Sequence, residues 1–150
     1  MYKMAEYAKN KKALFDYEKR QNFEAGISLA GYEVKSIKSG GCSLDGSYVI
    51  IRGGEAFLTG AHISPYQPSN MPRNYDPARA RKLLLSKKEI AVLADAEKSK
   101  GLTIIPVSMY SKNNKIKVEI WTARGKKKYD KRQDIKKRDV EKELKRNLKT

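Results

Sequence analysis

The sequence predicts a small, mainly β barrel that carries a separate basic tail. Three observations point there. Short runs of β-branched and aromatic residues alternate with tight-turn signals, one segment has a complete helix-start signal, and the last stretch, 124–150, is too poor in apolar residues to join any core. With 150 residues and 39% hydrophobic content, the chain has material for one core and not two.

Residues 1–12 are polar and basic and read as a flexible N-terminal segment. Ala13 to Glu18 and Phe23 to Leu29 read as two strands around the polar turn Lys19 to Asn22, with Gly26 marking a bulge or bend. Between Ala30 and Gly41, Val34 and Ile37 stand at i, i+3, and Lys35 and Lys38 sit before a double glycine. That is a short helix with cations at its negative pole. Tyr48 to Arg52 and Glu55 to Thr59 flank Gly53-Gly54, the strongest hairpin signal in the chain.

After His62-Ile-Ser-Pro-Tyr66, the stretch to Arg79 contains Pro68, Pro72 and Pro77 with several Asn and Ser positions, which predicts an ordered or semi-ordered loop. Ser86 and Glu89 form a capping box, Ile90, Leu93 and Ala94 follow helical spacing, and Gly101 ends the helix. Leu102 to Tyr110 and Lys115 to Thr122 read as strands joined by the turn Ser111 to Asn114, with Pro106 placing the first at an edge or a bulge. About six strands with one or two inserted helices are best buried by a closed or nearly closed barrel of the oligonucleotide-binding (OB) type over residues 13–123. A split α+β sandwich is the second choice.

The tail, 124–150, holds 13 Lys or Arg against five Asp or Glu, which supplies half of the chain's net charge of +16. Val140, Leu144 and Leu148 at i, i+4, i+8 draw one narrow apolar stripe. Such a segment is a marginal helix alone and gains order when a polyanion neutralises its repulsion, so we expect it disordered when free and helical when bound.

The residue inventory excludes much chemistry. One histidine, His62, and one cysteine, Cys42, allow no internal disulfide and cannot supply a four-ligand zinc site, and nothing local supports them as a Cys-His pair. Phosphate-loop motifs are absent. No catalytic residue, cofactor or metal is expected. No apolar run approaches the roughly 20 residues that cross a bilayer, and the N-terminus has no secretory h-region, which places the chain in the cytoplasm.

Binding chemistry remains. Arg73, Arg79, Arg81, Lys82, Lys87 and Lys88 surround the Pro-rich loop and the capped helix, with Tyr66 and Tyr75 nearby. Cations for phosphates together with exposed rings for stacking are what recognition of RNA requires. Arg124, Gly125, Lys126 and Lys127 leave the last strand directly and are expected to extend the same basic field. A general structured-RNA-binding or ribosome-associated protein would show the same features.

Five runs narrow the choice: Phe-Glu-Ala-Gly-Ile (23–27), Gly-x-Glu-Val-Lys-Ser (31–36), His-Ile-Ser-Pro-Tyr (62–66), Arg-Lys-Leu-Leu-Leu (81–85) and Arg-Gly-Lys-Lys-Lys-Tyr-Asp-Lys-Arg (124–132). In this order they resemble the bacterial SsrA-binding protein family, also called small protein B, from about Asn10 onward. The resemblance implies a monomeric OB-type barrel that holds the tRNA-like domain of transfer-messenger RNA and delivers it to stalled ribosomes for trans-translation. Its tail would lie in the empty message channel near the decoding centre of the small subunit. By position, the resemblance implies that Glu33, Leu84, Ser86, Gly125 and Lys127 belong to the RNA-facing surface. It places Asp130, Lys131 and Arg132 in the tail's ribosomal function, with Lys136, Lys137 and Arg138 further along the same arm.

Overall fold

The computed structural model describes residues 5–67, 69, 71–126 and 128–148; of 128–131, 133, 134 and 145–148 only the backbone is described. Nine strands are present among these residues. Seven form one antiparallel sheet: β1 (Glu6–Lys9), β2 (Tyr17–Ile27), β4 (Tyr48–Arg52), β5 (Glu55–Thr59), β7 (Arg81–Leu84), β8 (Leu102–Lys112) and β9 (Lys115–Gly125). Their order across the sheet is β1-β8-β9-β2-β7-β5-β4, while β3 (Cys42–Ser43) and β6 (His62–Ile63) make a separate two-stranded ladder. The described residues also form four α-helices: α1 (Lys11–Asp16), α2 (Gly31–Lys38), α3 (Lys87–Lys98) and α4 (Lys128–Leu148).

The sheet curls until β4 lies beside β8, but no hydrogen-bonded ladder joins the two among the described residues. The barrel is therefore OB-like and open rather than closed. Its interior is filled by Ile37, Leu44, Leu58, Ile63, Leu83, Leu93, Ile104, Met109, Val118 and Ile120, all fully buried. No described residue of α4 belongs to this cluster. No described helix is long and apolar enough to cross a membrane.

Several elements form as the sequence predicts. The β4–β5 hairpin turns through Gly53 and Gly54 at φ 60° and 75°, and the β8–β9 hairpin through Asn113 and Asn114 at φ 52° and 62°. Both are the left-handed pairs that a two-residue hairpin with the native strand twist requires. Pro106 sits at a register shift in β8, which spares the ladder a missing N–H donor. Ser86 Oγ accepts from the Glu89 N–H at 3.2 Å and Glu89 Oε1 accepts from the Ser86 N–H at 3.1 Å, closing the predicted capping box of α3.

Others depart from the sequence reading. Residues 6–9, read as part of a flexible segment, form β1 against β8. Ala13 to Asp16, read as strand, is the helix α1, because Asn10 caps it: its Oδ1 accepts from the Ala13 N–H at 3.2 Å while its Nδ2 donates to the Pro106 carbonyl at 3.0 Å. Lys19 to Asn22 is no turn. It continues β2 opposite Trp121, Thr122 and Ala123, with one register shift between Lys19 and Gln21. At Gly26 the register runs on unbroken, so that glycine marks close approach: a Cβ there would lie 3.2 Å from Leu84 Cβ. Replacing Ile120 by Ala should lower unfolding free energy by about 2–5 kcal/mol in urea titration. The same change at exposed Val140 of α4 should stay within about 0.5 kcal/mol.

Candidate nucleic-acid interface

The strand β7 sorts the predicted RNA-binding residues by simple alternation. Arg81 and Leu83 point inward and Lys82 and Leu84 outward. Arg81 is thereby fully buried, and its side chain survives there because every N–H has an acceptor. Its Nε and Nη2 lie 2.8 Å and 2.7 Å from Glu33 Oε2, Nη1 donates to the Ala61 and Arg79 carbonyls, and Nη2 also reaches the Pro77 carbonyl at 2.9 Å.

Glu33 is equally buried, at the third position of α2, where its Oε1 accepts from the Ala30 N–H at 2.9 Å and so caps that helix. Arg79 adds a second guanidinium to the same carboxylate. Burial alone drives the Glu33 carboxyl upward, but the hydrogen bonds from Arg79, Ala30 and Arg81, with the charge of Arg81, outweigh it and hold the group below the ordinary glutamate range. The expectation that Glu33 and Arg81 face RNA is corrected here: each is the other's partner, and neither has surface to offer a phosphate.

What this pair does is fix the Pro-rich loop. Tyr75 donates its hydroxyl to the Ile63 carbonyl at 2.9 Å, accepts from Arg81 Nη2 at 3.3 Å, and meets the Tyr32 ring edge-to-face at 5.4 Å. Asp76 Oδ1 accepts from the Ala78 N–H, and the Ile63 N–H bonds the Pro77 carbonyl. Arg73 is thus carried, exposed, on a loop tied down from within. Tyr75 is spent on this internal packing, while Tyr66 remains exposed.

The outward set lies along one run. Lys82 is half exposed, with Nζ 3.1 Å from Glu55, and Leu84 is 54% exposed, an unusual position for leucine. Ser86 follows on the surface as the cap of α3. Beside Leu84, a groove of about 390 Å³ is floored by Ile27, Leu29, Val34 and Ile116 and rimmed by Lys38, Lys115 and Lys117, with no carboxylate in its lining. These three lysines do not stand out in the sequence. The alternation of 115–122 puts Lys115 and Lys117 on one face, but only the fold brings Lys38 to them.

The other predicted residues lie elsewhere. Gly26 of β2 pairs with Leu84 and Lys117, whereas Tyr17 and Glu18 pair with Gly125 and Arg124. Nine residues of strand separate the two ends, about 30 Å at the usual strand rise. The expected single basic field is therefore two regions at opposite ends of β2. At the second, Arg124 and Gly125 are exposed, and Lys126 donates its backbone N–H to the Asp16 carbonyl at 2.8 Å.

Lys127 lies outside the described residues, and of Asp130 and Lys131 only the helical backbone is described. Arg132, Lys136, Lys137 and Arg138 are exposed on α4. Cys42 pairs with Ile63, one rung from the Ser43–His62 pair. Its Sγ packs 3.8 Å from Met109 Sδ, and burial pushes the thiol up to about 11. One cluster escapes the sequence reading: Tyr110 donates its hydroxyl to Glu24, with Lys112 3.3 Å away, and these contacts, the Tyr110 bond above all, hold the Glu24 carboxyl low.

Two outcomes follow for the buried pair. Arg81→Leu leaves Glu33 under-compensated in the interior and should cost about 3–5 kcal/mol of stability in urea titration. Because the native Glu33 pKa is depressed, its contribution is full above the ordinary glutamate value of about 4.3 and is lost as pH falls through the lower native value. Stability of Glu33→Gln, measured from about pH 6 to pH 3, should therefore fall less with acid than that of the parent chain.

Comparison with known proteins places this architecture. A family model described as SmpB protein matches residues 7–150. The SsrA-binding protein of Acetivibrio thermocellus is 51% identical over 142 residues, covering 95% of this chain and 92% of the relative. Those of Oleidesulfovibrio alaskensis and Coxiella burnetii are 51% and 50% identical, covering 94% and 95% of this chain and 90% of each relative. Among solved structures, a chain described as "tmRNA-SmpB: a journey to the center of the bacterial ribosome" superposes with a TM-score of 0.67 at 40% identity, over 83% of this chain and 85% of that one. With an OB-like barrel, an exposed leucine over a lysine-rimmed groove and a basic C-terminal helix all in the matched span, the chain belongs to the SmpB protein family.

Proposed function

We propose that this protein binds the tRNA-like domain of transfer-messenger RNA and delivers it to stalled ribosomes for trans-translation, with its tail in the empty message channel near the decoding centre. The observation that carries the reading is the separation of two basic regions by about 30 Å along β2, one on the barrel and one where α4 departs. A protein that joins one RNA to another needs two such faces. The relatives named SsrA-binding protein, and the solved neighbour whose description pairs tmRNA with the bacterial ribosome, support the same assignment.

In this reading the groove beside Leu84, with Lys38, Lys115, Lys117 and the outward Lys82 and Ser86, faces the transfer-messenger RNA. A rigid basic surface recognises a folded RNA by shape and backbone. Arg132, Lys136, Lys137 and Arg138, with Asp130 and Lys131, face the ribosome. The helical tail docks on ribosomal RNA when no message fills the channel, so its docking tests occupancy. Its exposed described side chains and absence from the barrel core support that division. The work assigned to the chain is binding and delivery.

The test compares the full chain with one ending at Gly125, each titrated with the tRNA-like domain and with an ordinary tRNA at matched, moderately high salt. Both should prefer the transfer-messenger fragment equally, while only the full chain supports rescue of ribosomes on a message lacking a stop codon. If neither form discriminates, the chain is a general structured-RNA binder, whose affinity is mostly counterion release.

A further inference from the structure

At the exit end of β2 a second groove, of about 490 Å³, lies between the barrel and the tail helix. Leu14 and Phe15 of α1 form its floor. Around it stand Lys9 at the end of β1, Lys11 at the start of α1, Lys126 after β9, and Lys137 and Arg138 of α4, with Glu141 as the single carboxylate in its lining. Four separate elements thus direct five cations at one space.

The geometry suits a phosphate. The Arg138 guanidinium carbon lies 4.8 Å from the centroid of the Phe15 ring, a cation–π contact. Contact with a ring uses no hydrogen-bond acceptor, and the N–H donors of a guanidinium match two oxygens of a phosphate. Lys126 Nζ reaches the Leu14 carbonyl at 3.4 Å, which holds that charge low in the groove. Lys9, Lys11 and Lys137 are exposed and close the rim. Lys9, Lys11, Lys137 and Arg138 stand around it with Glu141 as the one carboxylate of the lining, so the groove presents a positive field to an anion.

We propose that this groove binds a backbone phosphate of RNA, contacted by Lys11 from the barrel and Arg138 from the tail together, so that its occupancy fixes the direction in which α4 leaves the body. The occupant is a phosphodiester chain rather than a lone anion, because the cations come from separate parts of the chain around a space of about 490 Å³ and Arg124 adds another, exposed, at the strand end. One small anion would leave most of that charge unmatched. The proposal rests on the RNA-binding reading above but concerns the opposite end of β2.

The experiment is a double-mutant cycle on the full chain with Lys11→Ala and Arg138→Gln, titrated with hexauridylate and, at equal phosphate concentration, with inorganic tripolyphosphate. Each single change should weaken hexauridylate binding by about three- to tenfold and lower the salt slope by about one. The two effects should be non-additive, since both residues meet one phosphate. Arg138→Lys, which keeps the charge and loses the planar contact, should fall between.

Strictly additive effects, or no effect, overturn the bridging site. Equal or tighter binding of tripolyphosphate overturns the RNA occupant. Affinity of the parent chain for the tRNA-like domain is measured in parallel. If the parent chain fails to discriminate that domain while the cycle remains non-additive, the functional reading fails and the groove stands.

Discussion

The structure depends on one carboxylate placed where a carboxylate is costly. Glu33 sits in the interior, where desolvation pushes its carboxyl upward; Arg79, the Ala30 N–H and Arg81 hold it low, and Arg81, equally buried, is itself kept in the interior by it. Because the acid belongs to α2 and the base to β7, the pair ties the first long helix to the middle of the sheet. The remaining donors of Arg81 then collect carbonyls from Ala61, Pro77 and Arg79, so a loop with little apolar material of its own acquires a fixed path. Well-packed apolar residues could fill that volume at equal or better stability, but they could not hold the backbone at Ala30, Ala61, Pro77 and Arg79 by directional bonds.

Much of this is legible in the sequence, and the exceptions have physical causes. Hairpins are readable because Gly53-Gly54 and Asn113-Asn114 are rare pairs tolerant of left-handed backbone, and α3 because a capping box is a local device. The β1 strand and the unbroken β2 are hidden. Both are polar sequences whose ladders are completed by distant partners on β8 and β9, and a backbone hydrogen bond leaves no mark in side-chain pattern. The run 81–85 shows its basic character but not its alternation, so Arg81 reads as surface although it is core. The resemblance assigns Glu33 and Leu84 alike to the RNA face; only the strand and helix geometry separates the buried one from the exposed one.

The same geometry divides the charge. A net charge of +16 on 150 residues invites reading the surface as one positive field. Antiparallel pairing of β2 with β9 instead sends Lys117 to one end and Arg124 to the other, while β7 brings Leu84 to the first. A long strand acts as a spacer, and the distance between the two basic regions is set by its residue count. Insertions or deletions in β2 would change that distance in whole-residue steps and exchange inward for outward side chains at each step.

The chain's one tryptophan stands opposite the middle of this spacer, at Asn22. Trp121 packs with Ala13, Ile105 and Ala123 under α1, with Lys19 Nζ 5.7 Å from its ring and Glu119 accepting its indole N–H. Its emission is consequently an optical handle on the small apolar cluster beneath α1. Anything that shifts α1, or moves Lys19 or Glu119, alters the field at the indole.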